Sequence, residues 1–321
     1  MGVCVRDPAP SPDGSAVGPY PQKGRGTVDV FLSQVFTGLS AGGVLLLIAI
    51  GLTLTFGQMG VINMAHGEFI MAGAYTAYVI NSVLGNAELG LLVALPVGFV
   101  VGGLLGVLLE AGVIRWMYHR PLDTLLVTYG VGLVLQQVAR DIFGAPAKEV
   151  PSPSWLSGSV PVLGYDFPLA RLFLLVLSLV CLLGVVAVLK YTALGRQVRA
   201  TVSNRDLAET VGVSTRRTDR ITFFLGSGLA GIAGVALTLL GSTGPTIGSS
   251  YIVEAFLVVV VGGIGQLKGT VIAAFAIGLT QSFLEYATSG SIAKVLVFLA
   301  IVVFLQARPQ GIFAVRTRSL A

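Results

Sequence analysis

Hydrolytic or metal chemistry in this chain would have to be built from two histidines and a thin scatter of carboxylates. His66 and Glu68 are two residues apart and the other histidine is His119, so spacing assembles neither a His-Glu-x-x-His helix nor a three-ligand zinc set. The stretch GGIGQLKGT from Gly262 to Thr270 has glycines and a lysine but lacks the G-x-x-x-x-G-K-[ST] order that wraps phosphate, so the chain is not expected to hydrolyse ATP itself. Gly226-Ser227-Gly228 sits in an apolar run and is not a nucleophile elbow, and Cys4 and Cys181 offer no metal spacing. No catalytic or metal-ligating residue is assigned. Polar groups suited to a solute path remain: Asn63, His66 and Glu68 at a glycine break, Thr128, Gln136 and Gln137, and then Ser242, Thr243, Thr246, Ser249 and Ser250. Only one of Gln136 and Gln137 can look into a pore, because neighbours on a helix point about 100° apart.

The elements that position these groups are membrane helices. The 321 residues are 54% hydrophobic and 11% charged, where a soluble domain carries about a quarter charged residues. Apolar runs at 31–56, 69–84, 89–114, 122–143, 169–190, 221–241, 252–265, 270–287 and 291–307 give an all-α, polytopic membrane protein of about nine transmembrane helices, eight to ten. Charge in hydrocarbon costs about 2.5–3.5 kcal/mol at a helix centre. Glu110, Arg140, Asp141 and Glu285 are therefore expected to reach for the interface, and Glu68 to brace freed backbone at its break. So little intramembrane charge suits an uncharged or zwitterionic solute rather than an ion.

Orientation follows from the longest polar interval, Arg196–Arg220, which holds six arginines and reads as cytoplasmic. Counting outward puts 115–121 and the C-terminal arginines inside and 144–168 outside. It leaves the N-terminus outside, a conflict with Lys23 and Arg25 that an extra crossing near 57–68 would remove. Two glycine breaks, Gly57–Glu68 and Gly262–Gly269, read either as non-helical backbone at membrane depth lining a path or as tight cytoplasmic turns. Gly262, Gly263 and Gly265 are gate candidates on the first reading. Residues 1–28, with five prolines and five glycines, are expected to be a disordered extension; 29–315 form the transmembrane domain and 316–321 a basic tail. The basic charge needs no nucleic-acid partner, since the lipid bilayer already accounts for it.

Within the 191–220 loop, Ser203 or Asn204 can cap a short helix, Asp206 and Glu209 suit its first turns and Gly212 can close it. Leu207, Ala208 and Val211 then form a small apolar ridge that rests either on the protein's own helices or in the groove of a soluble partner.

Five ordered motifs carry a resemblance: GLTLTFGQMGVINMAHGEFIMAGAY, GRQVRATVSNRDLAETVGV, FFLGSGLAGIAGVAL, VVVVGGIGQLKGTVIAAFAIG and RPQGIF. Over about residues 30–315 the chain resembles the permease subunits of branched-chain-amino-acid-type ABC importers. Pro153–Gly158, Pro121–Leu126, Gly244-Pro245 and Tyr251–Val253 resemble the urea-type permease most. The resemblance implies a bacterial inner-membrane subunit forming a gated path for urea, or alternatively for branched-chain amino acids or short amides; a stand-alone urea channel is the rival. It implies a second related permease, two cytoplasmic ATP-binding subunits and an extracytoplasmic solute-binding protein. ATP and magnesium would belong to the ATPase partners, with no cofactor on this chain. Asn204, Arg205, Leu207, Ala208, Glu209, Val211 and Gly212 match the place where such permeases present a coupling helix, with Leu207, Ala208 and Val211 as contacts and Arg205 and Glu209 setting register. Gln58, Tyr129, Thr246 and Lys268 depart from the family's usual residues.

Overall fold

The computed structural model describes residues 27–118, 120–162 and 165–313. The extension 1–28 lies outside them except for Thr27 and Val28, which open the first helix, and His119 and the tail 316–321 also lie outside. Nine long helices are found among the described residues: α1 (Thr27–Met59), α2 (His66–Leu84), α3 (Ala87–Gly112), α4 (Pro121–Phe143), α5 (Leu169–Tyr191), α8 (Thr215–Leu237), α9 (Ile247–Gly262), α10 (Leu267–Ala287) and α11 (Gly290–Ala307). Two short helices, α6 (Ala193–Ser203) and α7 (Arg205–Thr210), fill the connection between α5 and α8. A two-stranded hairpin, β1 (Ser159–Val162) with β2 (Tyr165–Pro168), precedes α5.

Contacts between connections fix which ends lie together. Lys148 and Thr243 exchange backbone hydrogen bonds at one end, where Ser282 also bonds the Gln34 carbonyl at 2.8 Å. At the other end Gly57 abuts Gly265, Gln58 reaches Asp219, and Phe313 lies on Gly263. The arginine-rich connections sit at this second end, which is therefore cytoplasmic. The nine helices alternate in direction, so α1 starts at the outer face. No helix occupies 60–65, so the extra crossing considered for 57–68 does not exist.

Seven of the helices are long and apolar enough to cross by length and hydropathy alone. The 16-residue α9 is shorter, about 24 Å against a hydrocarbon core of about 30 Å. Helix α2 begins inside the protein: the His66 ring lies against Gly51, about two turns before the cytoplasmic end of α1. The chain reaches that depth through Gly60–Ala65, a non-helical return in which Val61, Asn63 and Ala65 are buried. The first glycine break is therefore non-helical backbone buried within the protein rather than a tight turn at its surface. The second is a cytoplasmic turn, with Gly263 and Gly265 at φ 99° and 76°, conformations that admit glycine readily.

Helix α8 is the centre of the packing. A Cβ on Gly231 would strike the Gly98 carbonyl of α3, and one on Gly234 the Ile70 carbonyl of α2. Lipid tails are as apolar as leucine, so helix association here rests on such close approach rather than on expulsion of water. Leucine and valine face outward on α3, α4, α5 and α11, with Leu108, Leu126, Leu183 and Val303 all exposed. Gly231→Leu is expected to abolish accumulation of folded protein, since backbone cannot give way as a side chain does and overpacking alone costs about 1–3 kcal/mol. Gly130→Leu, at an exposed position with nothing within 4 Å, is expected to leave the melting temperature in detergent unchanged.

Candidate functional site

At mid-depth three helices meet through polar side chains. Gln136 of α4 donates from Nε2 to Glu68 Oε1 at 2.8 Å and lies 2.7 Å from Ser249 Oγ of α9. Gln136 is buried whereas Gln137 is exposed and bonds Asp141, so one glutamine of the pair faces inward, as helical geometry requires. Thr128 Oγ1 accepts from the Met64 amide at 3.1 Å and donates to the Thr124 carbonyl at 2.8 Å, tying α4 to the non-helical return. Glu68 thus bonds side chains of α4 and α9 rather than the freed backbone of its break, which Thr128 meets instead. Asn63 and His66 are buried beside it, but neither bonds Glu68. Gly262 packs on Gly269, and Ile312 and Phe313 donate to the carbonyls of Val261 and Gly262, closing the inner end of α9.

Toward the outer face a cavity of about 620 Å³ opens between α1, α9, α10, α11 and the connection 238–246. Lys294 Nζ of α11 lies 3.0 Å from Glu254 Oε1 of α9 on its wall, and Gln281 donates to Glu285 at 2.9 Å at its rim. Val44, Leu45, Leu237 and Ile247 give an apolar side, and Ser242, Thr246 and Ser250 add hydroxyls. Lysine inside an apolar run such as 291–307 is itself a signal of function, but the pairing of Lys294 with Glu254 spans 40 positions and leaves no local pattern in the sequence.

At the cytoplasmic end Asn204 caps α7, its Oδ1 accepting from the Leu207 amide at 2.9 Å, and Gly212 at φ 87° ends the turn with its amide on the Glu209 carbonyl. The ridge is divided. Leu207 and Val211 are 61% and 71% exposed, whereas Ala208 is buried at 3%. Ala208 is therefore a packing residue of this chain and not an outward contact, because residues one apart on a helix cannot share a face. Arg205 pairs with Asp219 of α8 and lies 4.9 Å over the Tyr118 ring, and Glu209 accepts from Thr215. Asp219 has no exposed side-chain surface, and its second oxygen accepts from Gln58 Nε2 of α1 at 2.9 Å. Its sequence signal lies in Thr215, Thr218, Asp219, Thr222 and Phe223, which are buried together along one face of α8. Beside it Tyr118 donates to Glu110 at 2.9 Å, and burial pushes the phenol well above its usual pKa, so it stays a donor. Glu110 is buried with Arg220 3.5 Å away; it does not reach for the interface as its position near a span end suggested. Among the described residues no group of three metal-ligating side chains comes together.

Residues 34–305 match the family described as branched-chain amino acid transport system / permease component. The high-affinity branched-chain amino acid transport system permease protein LivH of Salmonella typhimurium is 29% identical over 299 residues, 88% of this chain and 95% of that protein. The corresponding protein BraD of Pseudomonas aeruginosa is 26% identical over 297 residues, with the same coverage of 88% and 95%. The ribose import permease protein RbsC of Escherichia coli K12 is more distant, 25% identical over 277 residues, 79% of this chain and 78% of that one. No solved structure matches. With the match running from the second turn of α1 almost to the end of α11, the chain belongs to the branched-chain amino acid transport permease family, as a multi-pass permease subunit of the cytoplasmic membrane.

Proposed function

We propose that this permease carries a branched-chain amino acid as part of an ATP-driven importer, in place of the urea cargo suggested by its urea-type motifs. The observation that carries the reading is the outer cavity. It sets a carboxylate and an ammonium, Glu254 and Lys294, on one wall, and Val44, Leu45, Leu237 and Ile247 on another. A zwitterion with a branched apolar side chain matches both walls: its two charges can exchange with the ion pair while its side chain leaves water. Urea has neither charge nor apolar bulk and makes poor use of such a surface. The relatives named for branched-chain amino acid transport agree with this choice, and the one named for ribose sets the more distant alternative.

Energy input is assigned to partner ATPases through α7. Leu207 and Val211 project from a capped, charged helix that a groove on a soluble partner would receive. A second permease and an extracytoplasmic binding protein complete the machine on this reading, and high affinity would belong to the binding protein.

In cells supplying the partner subunits, uptake of labelled leucine at micromolar concentration is expected to depend on this gene and to be unaffected by excess urea. Gene-dependent urea uptake without leucine uptake would overturn the cargo. Lys294→Gln is expected to slow leucine uptake roughly tenfold, the effect of losing about 1.4 kcal/mol of interaction with the cargo carboxylate. Leu207→Asp changes an exposed side chain, so the protein should accumulate normally while ATP-dependent uptake falls by a similar factor or more; uptake that survives both this substitution and ATP depletion would mark a channel.

A further inference from the structure

We propose that Arg205, Asp219 and Gln58 form a tension-bearing joint that transmits the movement of α7 to the cytoplasmic end of α1 and to the Gly60–Ala65 return. The inference rests on the reading of α7 as the surface driven by partner ATPases. One carboxylate holds three elements: Arg205 of α7 on one oxygen, Gln58 of α1 on the other, and α8 through its own backbone. Gln58 is the penultimate residue of α1, two residues before the non-helical return that leads to Glu68 and, through Gln136 and Ser249, to α4 and α9. A displacement of α7 therefore has a short covalent and hydrogen-bonded route to mid-depth.

The chemistry suits a joint that must be pulled as well as pushed. An apolar contact resists compression but slides or parts under tension. Separating Arg205 from Asp219 would instead leave a fully buried carboxylate without its counter-charge, which is strongly unfavourable. Tyr118 keeps the joint from rotating: its ring lies under the Arg205 guanidinium and its hydroxyl is anchored on Glu110, which Arg220 also faces. The arginine is thus held on two sides, by charge and by a ring face. Thr215 and Glu209 add a second tie between α7 and α8 that does not involve α1, while Gln58 carries the bond from Asp219 to α1 and the Tyr118 hydroxyl lies 3.8 Å from Met59 Sδ beside it.

These are positioning residues, and the readout that separates positioning from structure is cargo moved per ATP hydrolysed. The whole importer is reconstituted in liposomes with its binding protein, and Gln58→Leu, Arg205→Gln and Asp219→Asn are compared with wild type at matched amounts of assembled complex. Each is expected to retain ATP hydrolysis and to lower leucine uptake per ATP roughly five- to tenfold. The reversed pair Arg205→Asp with Asp219→Arg is expected to recover part of the ratio that Arg205→Gln loses. A purely structural role would lower the yield of complex and leave the ratio unchanged, and an unchanged ratio in Gln58→Leu and Arg205→Gln overturns the inference. Should Asp219→Asn fail to assemble, those two still decide, since Gln58 and Arg205 contribute neutral or partly exposed groups. A wild-type complex without any ATP-driven uptake of leucine, urea or ribose would instead bring down the importer reading itself.

Discussion

Helix backbones in direct contact are the constraint on which the rest of this structure depends. In lipid the association of apolar helices gains nothing from expelling water, so cohesion comes from the number of atoms that can touch. At the crossing of α3 and α8, Gly231 lies on the Gly98 carbonyl, and Gly102 is beside it; at the crossing of α2 and α8, Gly234 lies on Ile70. Helices this close cannot slide past each other without a clash, so α1, α2, α3, α8 and α10 form a block whose internal geometry is set by small residues. Large side chains cover the lipid-facing surfaces and also fill the core between the crossings, as Leu46, Phe69 and Phe223 do.

That block makes it possible to break a helix inside a membrane. Freed backbone in hydrocarbon must find partners within the protein. The return at Gly60–Ala65 finds one in Thr128, whose hydroxyl both accepts from Met64 and donates within α4. The opposite solution appears at α9, where the last carbonyls meet the amides of Ile312 and Phe313 after a turn at the cytoplasmic face. Two glycine-rich stretches that look alike in sequence thus serve different ends, because one is followed by polar residues that can be buried with partners and the other by a helix that restarts at the interface.

The same distinction explains what the sequence disclosed. Spans, their alternation and the cytoplasmic loop were legible because hydropathy and arginine placement are local signals, and so were a helix cap at Ser203 or Asn204 and the rule that only one of Gln136 and Gln137 can turn inward. The rotation of α7 was not: a six-residue helix has too little periodicity to tell Ala208 from Leu207, and only its docking on α6 and α8 turns Ala208 inward. Asp219 read as a loop residue since it stands beside Arg216, Arg217 and Arg220, yet α8 begins before it and buries it. Glu110, Lys294 and Asp219 all acquire their partners from distant elements or from the fold of a connection, which no spacing rule records.

The polar pairs are therefore not scattered exceptions to an apolar protein. They sit where elements attach to the central block without glycine contact. Helix α4 is joined through Gln136 and Thr128, α11 reaches α9 through Lys294 and Glu254, and α7 holds α8 and α1 through Arg205 and Asp219. Side chains can pivot at such joints while keeping their bonds, whereas backbones in contact can only move together. A transporter must change shape between its two faces without opening a leak. A rigid glycine-packed centre with hydrogen-bonded attachments around it divides those tasks, because α11 at the outer cavity, α4 at mid-depth and α7 at the cytoplasmic surface are joined through side chains and can reorient against the block. The cost of each attachment, a desolvated charge, is also what keeps it from separating once the movement begins.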